Sequence, residues 1–133
     1  MAISTQLFEG QLIRLAPIDH EKDAEIESKW MHDPDYLRML WSKPARPLSP
    51  AQVKKGYEAI EKEMEESKST FYFTIRQRED ERLLGFIKLY WIEWTNGNGW
   101  LELGIGDPQD LRHGYGGDAL SLVLRYAFTE LNL

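Results

Sequence analysis

The sequence predicts a single α/β domain, a mixed central sheet flanked by helices, and three observations predict it. Three segments alternate with the two-residue period of a strand, and a fourth is a continuous apolar run of strand length. Three longer segments carry apolar residues at helical spacing. Residues 100–120, WLELGIGDPQDLRHGYGGDAL, join a strand to a helix through a glycine-rich turn. Such a unit normally returns to a parallel strand, whereas the earlier strands follow one another through hairpins, so the sheet is expected to be mixed. At 133 residues the chain forms one domain at most, with enough length for a real core.

Composition removes several function classes. A net charge of −6 gives no basic footprint for nucleic acid. Cysteine is absent, which excludes disulfides, thiolate metal sites and a cysteine nucleophile. No histidine or carboxylate cluster has metal-ligand spacing. The N-terminus lacks the pattern of a signal peptide and no apolar run reaches membrane-spanning length, so a cytoplasmic protein without a membrane partner is expected.

In order, Gln11 to Ala16 is a short strand closed by Pro17. Asp19 caps a charged helix from His20 to Met31, anchored by Ala24, Ile26 and Trp30. A helical turn at Tyr36 to Trp41 and a proline-rich loop from Ser42 to Pro50 follow. Ser49-Pro50 starts a helix to Ser67, with Val53, Tyr57, Ile60 and Met64 in one stripe. Thr70 to Arg76 is a strand with Phe71, Phe73 and Ile75 on one side. Leu83 to Trp94 is apolar on both faces, Phe86, Tyr90, Ile92 and Trp94 against Ile87, Leu89 and Trp91, which predicts a central strand covered on both sides. An Asn-Gly hairpin at Thr95 to Gly99 leads into the strand Trp100 to Ile105, where Leu101, Leu103 and Ile105 oppose Trp100, Glu102 and Gly104. The last helix, Tyr115 to Leu131, is apolar over most of its circumference and is expected to pack deeply.

The turn at Gly114, Tyr115, Gly116 and Gly117 has two readings. It is a tight strand-to-helix connection, or it is an anion cradle of unpaired helix N–H groups from which side chains have been removed. Three glycines in four residues favour the cradle, with His113 beside it as a phosphate contact or a solvated loop residue. The turn also fits the G-x-G-x-x-A dinucleotide fingerprint, but that motif needs a following strand and acidic residue. It is not a Walker A loop.

The run LELGIGDPQDLRHGYGGDALSLVLRYAF resembles the acyl-CoA-binding motif of the GNAT-superfamily N-acetyltransferases. In that family a Q/R-x-x-G-x-G/A turn holds the pyrophosphate of acetyl-CoA. Gly114 and Gly116 match its small positions, while Leu111 stands at the Gln/Arg position and the arginine is displaced to Arg112. GQLIRLAPIDHEKDAEIESKWMHDP and YAFTELNL are similar to the branch that contains the ribosomal-protein N-terminal acetyltransferases. The resemblance implies a GNAT-like acyl-CoA N-acyltransferase fold, with acetyl-CoA as co-substrate and an amine as acceptor. It implies that the backbone of Leu103, Gly104 and Ile105 pairs with the pantetheine arm, and that Leu111, Arg112, His113, Gly114, Tyr115, Gly116 and Gly117 surround the pyrophosphate.

Acyl transfer to an amine needs a proton acceptor, and Glu102 is the candidate, its other reading being a carboxylate paired with a nearby cation. Trp91, Glu93 and Trp94, with Tyr36 and Trp41, are candidates to line an acceptor pocket, core packing being the commoner role of Trp. The resemblance also implies a further strand, a helix and two more strands after Leu133, including a tyrosine that protonates the leaving thiolate. The expectation is therefore a domain of residues 1–133 that lacks its C-terminal strands, with a sheet edge open to homodimerisation. Two alternatives accompany the enzyme: an acyl-CoA-binding chain without catalysis, and a structural subunit completed by a partner.

Overall fold

The computed structural model describes residues 7–30 and 48–133. Its elements are β1 (Ile13–Ala16), α1 (His20–Trp30), α2 (Pro50–Ser67), β2 (Phe71–Gln77), β3 (Leu83–Glu93), β4 (Asn98–Ile105), a 3-10 turn at Pro108–Asp110 and α3 (Tyr115–Thr129). The strands form one sheet in the order β1-β2-β3-β4. All three pairings are antiparallel, so the expected mixed sheet is antiparallel throughout the described residues. The reason is local: each pair of neighbours is linked by a hairpin or by the long excursion through α1 and α2, and no strand among the described residues follows α3 to pair in parallel.

Three layers result. On one face of the sheet, Ile13, Leu15, Ile75, Ile87, Leu89, Ile92 and Ile105 meet Ala119, Leu122, Val123 and Ala127 of α3. On the other, Tyr72, Leu83 and Phe86 meet Trp30 of α1, and Val53 and Tyr57 of α2 close on Ala24 of α1. β3 lies centrally and is covered on both faces, as its two apolar faces predict. The start of α2 is a complete capping box: the Ser49 side chain accepts from the Gln52 N–H and the Gln52 side chain accepts from the Ser49 N–H. Asp19 caps α1 by accepting from the Lys22 N–H at 3.2 Å.

Two departures from simple alternation shape β3. Between Tyr90 and Glu93 the residues Trp91 and Ile92 oppose the single residue Gly99, a bulge. Ile92 therefore joins Ile87 and Leu89 in the core, and Trp91, expected on that face, is turned out to solvent with φ +50°. A second register shift, between Ile75 and Arg76 of β2, lets both Leu83 and Leu84 be buried, on opposite sides of the sheet.

α3 is less enclosed than its sequence predicts. Its first core contacts are buried, yet Leu124 and Phe128 are exposed beside the outer edge of β4. That edge has no strand next to it among the described residues.

Candidate active site

β4 organises the candidate site, and close backbone packing holds it. Gly85 of β3 lies against Gly104 so tightly that a Cβ on it would stand 1.9 Å from the Gly104 carbonyl oxygen. Gly106 touches the face of Trp30, where a Cβ would come within 1.9 Å of the ring. Both glycines are thus required by close approach. Gly104 itself pairs in regular register with Phe86, and the bulge in this ladder lies further along β3. After β4, Asp107 accepts from the Gln109 N–H at 2.9 Å and opens the 3-10 turn. Arg82, in the β2–β3 loop, grips Asp110 with both guanidinium nitrogens at 2.9 and 3.0 Å, fixing where the chain turns toward α3.

At the N-terminus of α3, Gly114 adopts φ +84° and no side chain caps the helix. The first N–H groups of α3 therefore keep their donor capacity and the positive end of the dipole. A Cβ on Gly117 would meet nothing within 4 Å, so the flank of the helix beside these donors is open. This arrangement fits the diphosphate of an acyl-CoA. Arg112 is exposed, with φ +67°, and forms no ion pair among the described residues. Leu111 is exposed. His113 does not float free: its Nε2 bonds the Gln109 carbonyl at 2.8 Å and its ring lies against Tyr115.

The turn is anchored by a residue that sequence reasoning missed. The Asp118 carboxylate accepts from the Leu12 and Ile13 N–H groups at 2.8 and 3.1 Å, tying α3 to the start of β1. An acid in the first turn of a helix was the available signal.

On the face of β4 toward α1 and α2, Glu102 stands opposite Lys88. It is half-buried and has no direct ion pair among the described residues, because Lys88 Nζ reaches Glu63 at 3.9 Å. Burial raises its pKa, and Lys88 lowers it by a smaller amount. The alternative of a closed ion pair is not what the structure shows. Leu103 faces the other way and packs on the core of α3, Gly104 and Ile105 are buried, and the four residues run straight toward the glycine turn.

The aromatic candidates separate. Trp91 meets Trp100 at 6.4 Å and Tyr90 at 5.1 Å between ring centroids. Tyr90 and Trp100 were not singled out as site residues; their signal was the cross-strand pairing itself. Glu93 accepts from Asn96 Nδ2 at 2.8 Å and Trp94 is exposed in the same turn. Tyr36 and Trp41 lie outside the described residues. A second buried acid, Glu27, accepts from the Tyr57 hydroxyl between α1 and α2, and burial lifts its pKa to about 7. Asp23, fully buried beside it, pairs with Arg76 at 2.6 Å.

Residues 13–133 match the family model of the acetyltransferase (GNAT) domain. The chain belongs to the GNAT acetyltransferase family. Its reaction is therefore acetyl transfer from acetyl-CoA to an amine, as the motif predicts. The fold agrees. A ribosomal-protein-S5-alanine acetyltransferase from Vibrio fischeri superposes with TM-score 0.71 at 18% identity, covering 95% of this chain and 69% of that one. Spermidine N-acetyltransferase from Vibrio cholerae, solved with CoA and spermine, gives 0.70 at 16%, covering 91% and 66%. A Vibrio cholerae protein described as a ribosomal-protein-serine acetyltransferase gives 0.70 at 20%, covering 100% and 72%. No curated protein sequence matches this GNAT chain. No helix among its described residues is long and apolar enough to cross a membrane, and no group of metal-ligating side chains was found among them.

Proposed function

We propose that this chain binds acetyl-CoA along the outer edge of β4 and over the Gly114–Gly117 turn, and acetylates a primary amine presented on the α1/α2 face, with Glu102 as proton acceptor. The observation that carries the reading is the double use of β4. The strand leads through a short 3-10 turn into an uncapped helix N-terminus, and on its face toward α1 and α2 it carries a half-buried carboxylate with no direct ion pair among the described residues.

Acetyl-CoA supplies an activated acyl group; the chain supplies position and proton transfer. Alternate N–H groups of Leu103, Gly104 and Ile105 lie on the open edge of β4, where they are available to the pantetheine amides and the thioester oxygen. The N–H groups of Tyr115, Gly116 and Gly117 hold the diphosphate, and Arg112 adds charge from the loop. An ammonium group has no lone pair, so the acceptor must attack as the free amine; Glu102 takes the proton it sheds, and as the bond to carbon forms the acyl carbon–sulfur bond breaks and CoA leaves as its thiolate. Its raised pKa brings its basicity closer to that task. The acceptor class comprises small-molecule amines and protein N-termini, in a cytoplasmic setting that suits a cysteine-free chain.

The test is acetyl transfer to a panel of amines and N-terminal peptides, followed by release of the CoA thiol. Turnover that falls in Glu102→Gln, with acetyl-CoA binding retained, supports the assignment; undiminished turnover in that variant overturns it. The exposed Leu124 and Phe128 beside the edge of β4 favour a second reading, in which a second copy covers that edge and completes the site. Activity that rises with protein concentration per chain separates the two.

A further inference from the structure

A row of three polar side chains crosses the sheet on its face toward α1 and α2. Tyr72 of β2 stands opposite Lys88 of β3, and Lys88 stands opposite Glu102 of β4. Side chains directly opposite on neighbouring strands have Cβ atoms about 5 Å apart, and opposite charges so placed ordinarily attract one another. Lys88 and Glu102 nonetheless form no ion pair among the described residues. Other contacts draw the lysine away. Its Nζ lies 3.9 Å from Glu63 Oε2 on α2 and 5.1 Å from the centroid of the Tyr90 ring. Glu63 is itself fixed by its second oxygen, since Oε1 accepts from the hydroxyl of buried Thr70 at 3.2 Å.

We propose that Glu63 is a positioning residue of this site: with the Tyr90 ring it holds the Lys88 ammonium away from Glu102 and so leaves that carboxylate open to the proton of the acceptor. The proposal rests on the reading that Glu102 is the proton acceptor. Among the described residues, the charged and titratable groups that face Glu102 are Lys88 from β3 and Tyr72 from β2, with Glu63 from α2 and Glu27 and Asp23 from α1 beyond them. Tyr72 supplies no charge to this balance. Burial holds its phenol well above the ordinary range, and Glu27, Asp23 and Glu102 add to that effect. Asp23 is already paired with Arg76. Of the three groups in the row only Lys88 is a cation, so Glu63 and Glu102 draw on the same ammonium.

An NMR titration of the Glu102 carboxyl carbon in the full chain tests this, with the signal assigned by its loss in Glu102→Gln. The variants are Glu63→Gln, Lys88→Met and the two combined. Both side chains are partly exposed, glutamine keeps an oxygen for the Thr70 hydroxyl, and circular dichroism verifies the folds. Without the Glu63 carboxylate the lysine closes on Glu102, and the Glu102 midpoint should fall by about one pH unit. Losing the negative charge of Glu63 also lowers that midpoint directly, and the combined variant separates the two effects. With Lys88 already replaced, Glu63→Gln should lower it by about a third as much or less. An unchanged midpoint in Glu63→Gln, or a fall just as large without Lys88, would overturn the proposal. No acceptor enters the titration, so the two readings fail separately. If the midpoint moves as expected while Glu102→Gln turns over undiminished, the proton-acceptor reading falls and the hold of Glu63 on Lys88 stands. If Glu102→Gln loses turnover while the midpoint stays in Glu63→Gln, only this inference falls.

Discussion

Burial without a direct ion pair distinguishes Glu102 from the exposed carboxylates around it, and its neighbours explain why its proton affinity rises. General bases contribute about 10²- to 10⁴-fold, so Glu102→Gln should lower kcat/KM by at least about 10²-fold while leaving the acetyl-CoA thermal shift in place. The acidic limb of the wild-type pH–rate profile should fall above the ordinary carboxylate range. Glu27 acts on stability instead. Desolvation between α1 and α2 raises it from 4.5 to about 7, with Asp23 adding to the rise and the Tyr57 hydroxyl opposing it. A carboxyl raised in the folded state contributes its full stability below pH 4.5 and loses it as pH rises through 7. The chain should therefore lose on the order of 3 kcal/mol across that window, and Glu27→Gln should flatten the loss in denaturant titrations. Periodicity could not reveal Glu27 or Asp23, because both lie on the buried side of a helix whose composition reads as solvated.

The strand-turn-helix unit was legible because its signals are local: alternation, an Asp-Pro stop, and glycines where side chains would block the helix N-terminus. What was not legible is held by distant partners. Nothing near Gly85 in the chain announces that Gly104 lies against it, and Asp118 bonds β1, more than a hundred residues away. The β3 bulge was equally hidden, since an uninterrupted apolar run carries no mark of where its register slips, and Trp91 was placed on the wrong face for that reason. Two substitutions probe the unit. Gly117→Ala enters open space within a helix and should stabilise the chain by about 0.5 kcal/mol, and Gly117→Asp should abolish the acetyl-CoA shift by placing a carboxylate before the helix donors. Asp118→Asn should lower the melting temperature, because it weakens charge-assisted bonds to the Leu12 and Ile13 N–H groups, each worth about 1.5–3 kcal/mol.

For the molecule as a whole, the layer order was predictable from the faces of β3, and the family followed from one motif that the family comparison supports. The parallel return was expected only in a strand after Leu133, and the described strands, joined through hairpins and the α1–α2 excursion, are all antiparallel. The exposed Leu124 and Phe128 lie beside the open edge of β4, and the uncapped start of α3 approaches the same strand where Gly116 meets Leu103; this is where the proposed acetyl-CoA site lies. The central claim is that this chain forms that site, and the most direct test is its melting temperature with and without acetyl-CoA, beside Gly117→Asp. Binding at about a hundred times Kd stabilises by about 2.7 kcal/mol, which should raise the midpoint by several degrees in the wild type and not in the variant. A folded wild-type chain whose midpoint does not move, or a variant that shifts as far as the wild type, would contradict the account.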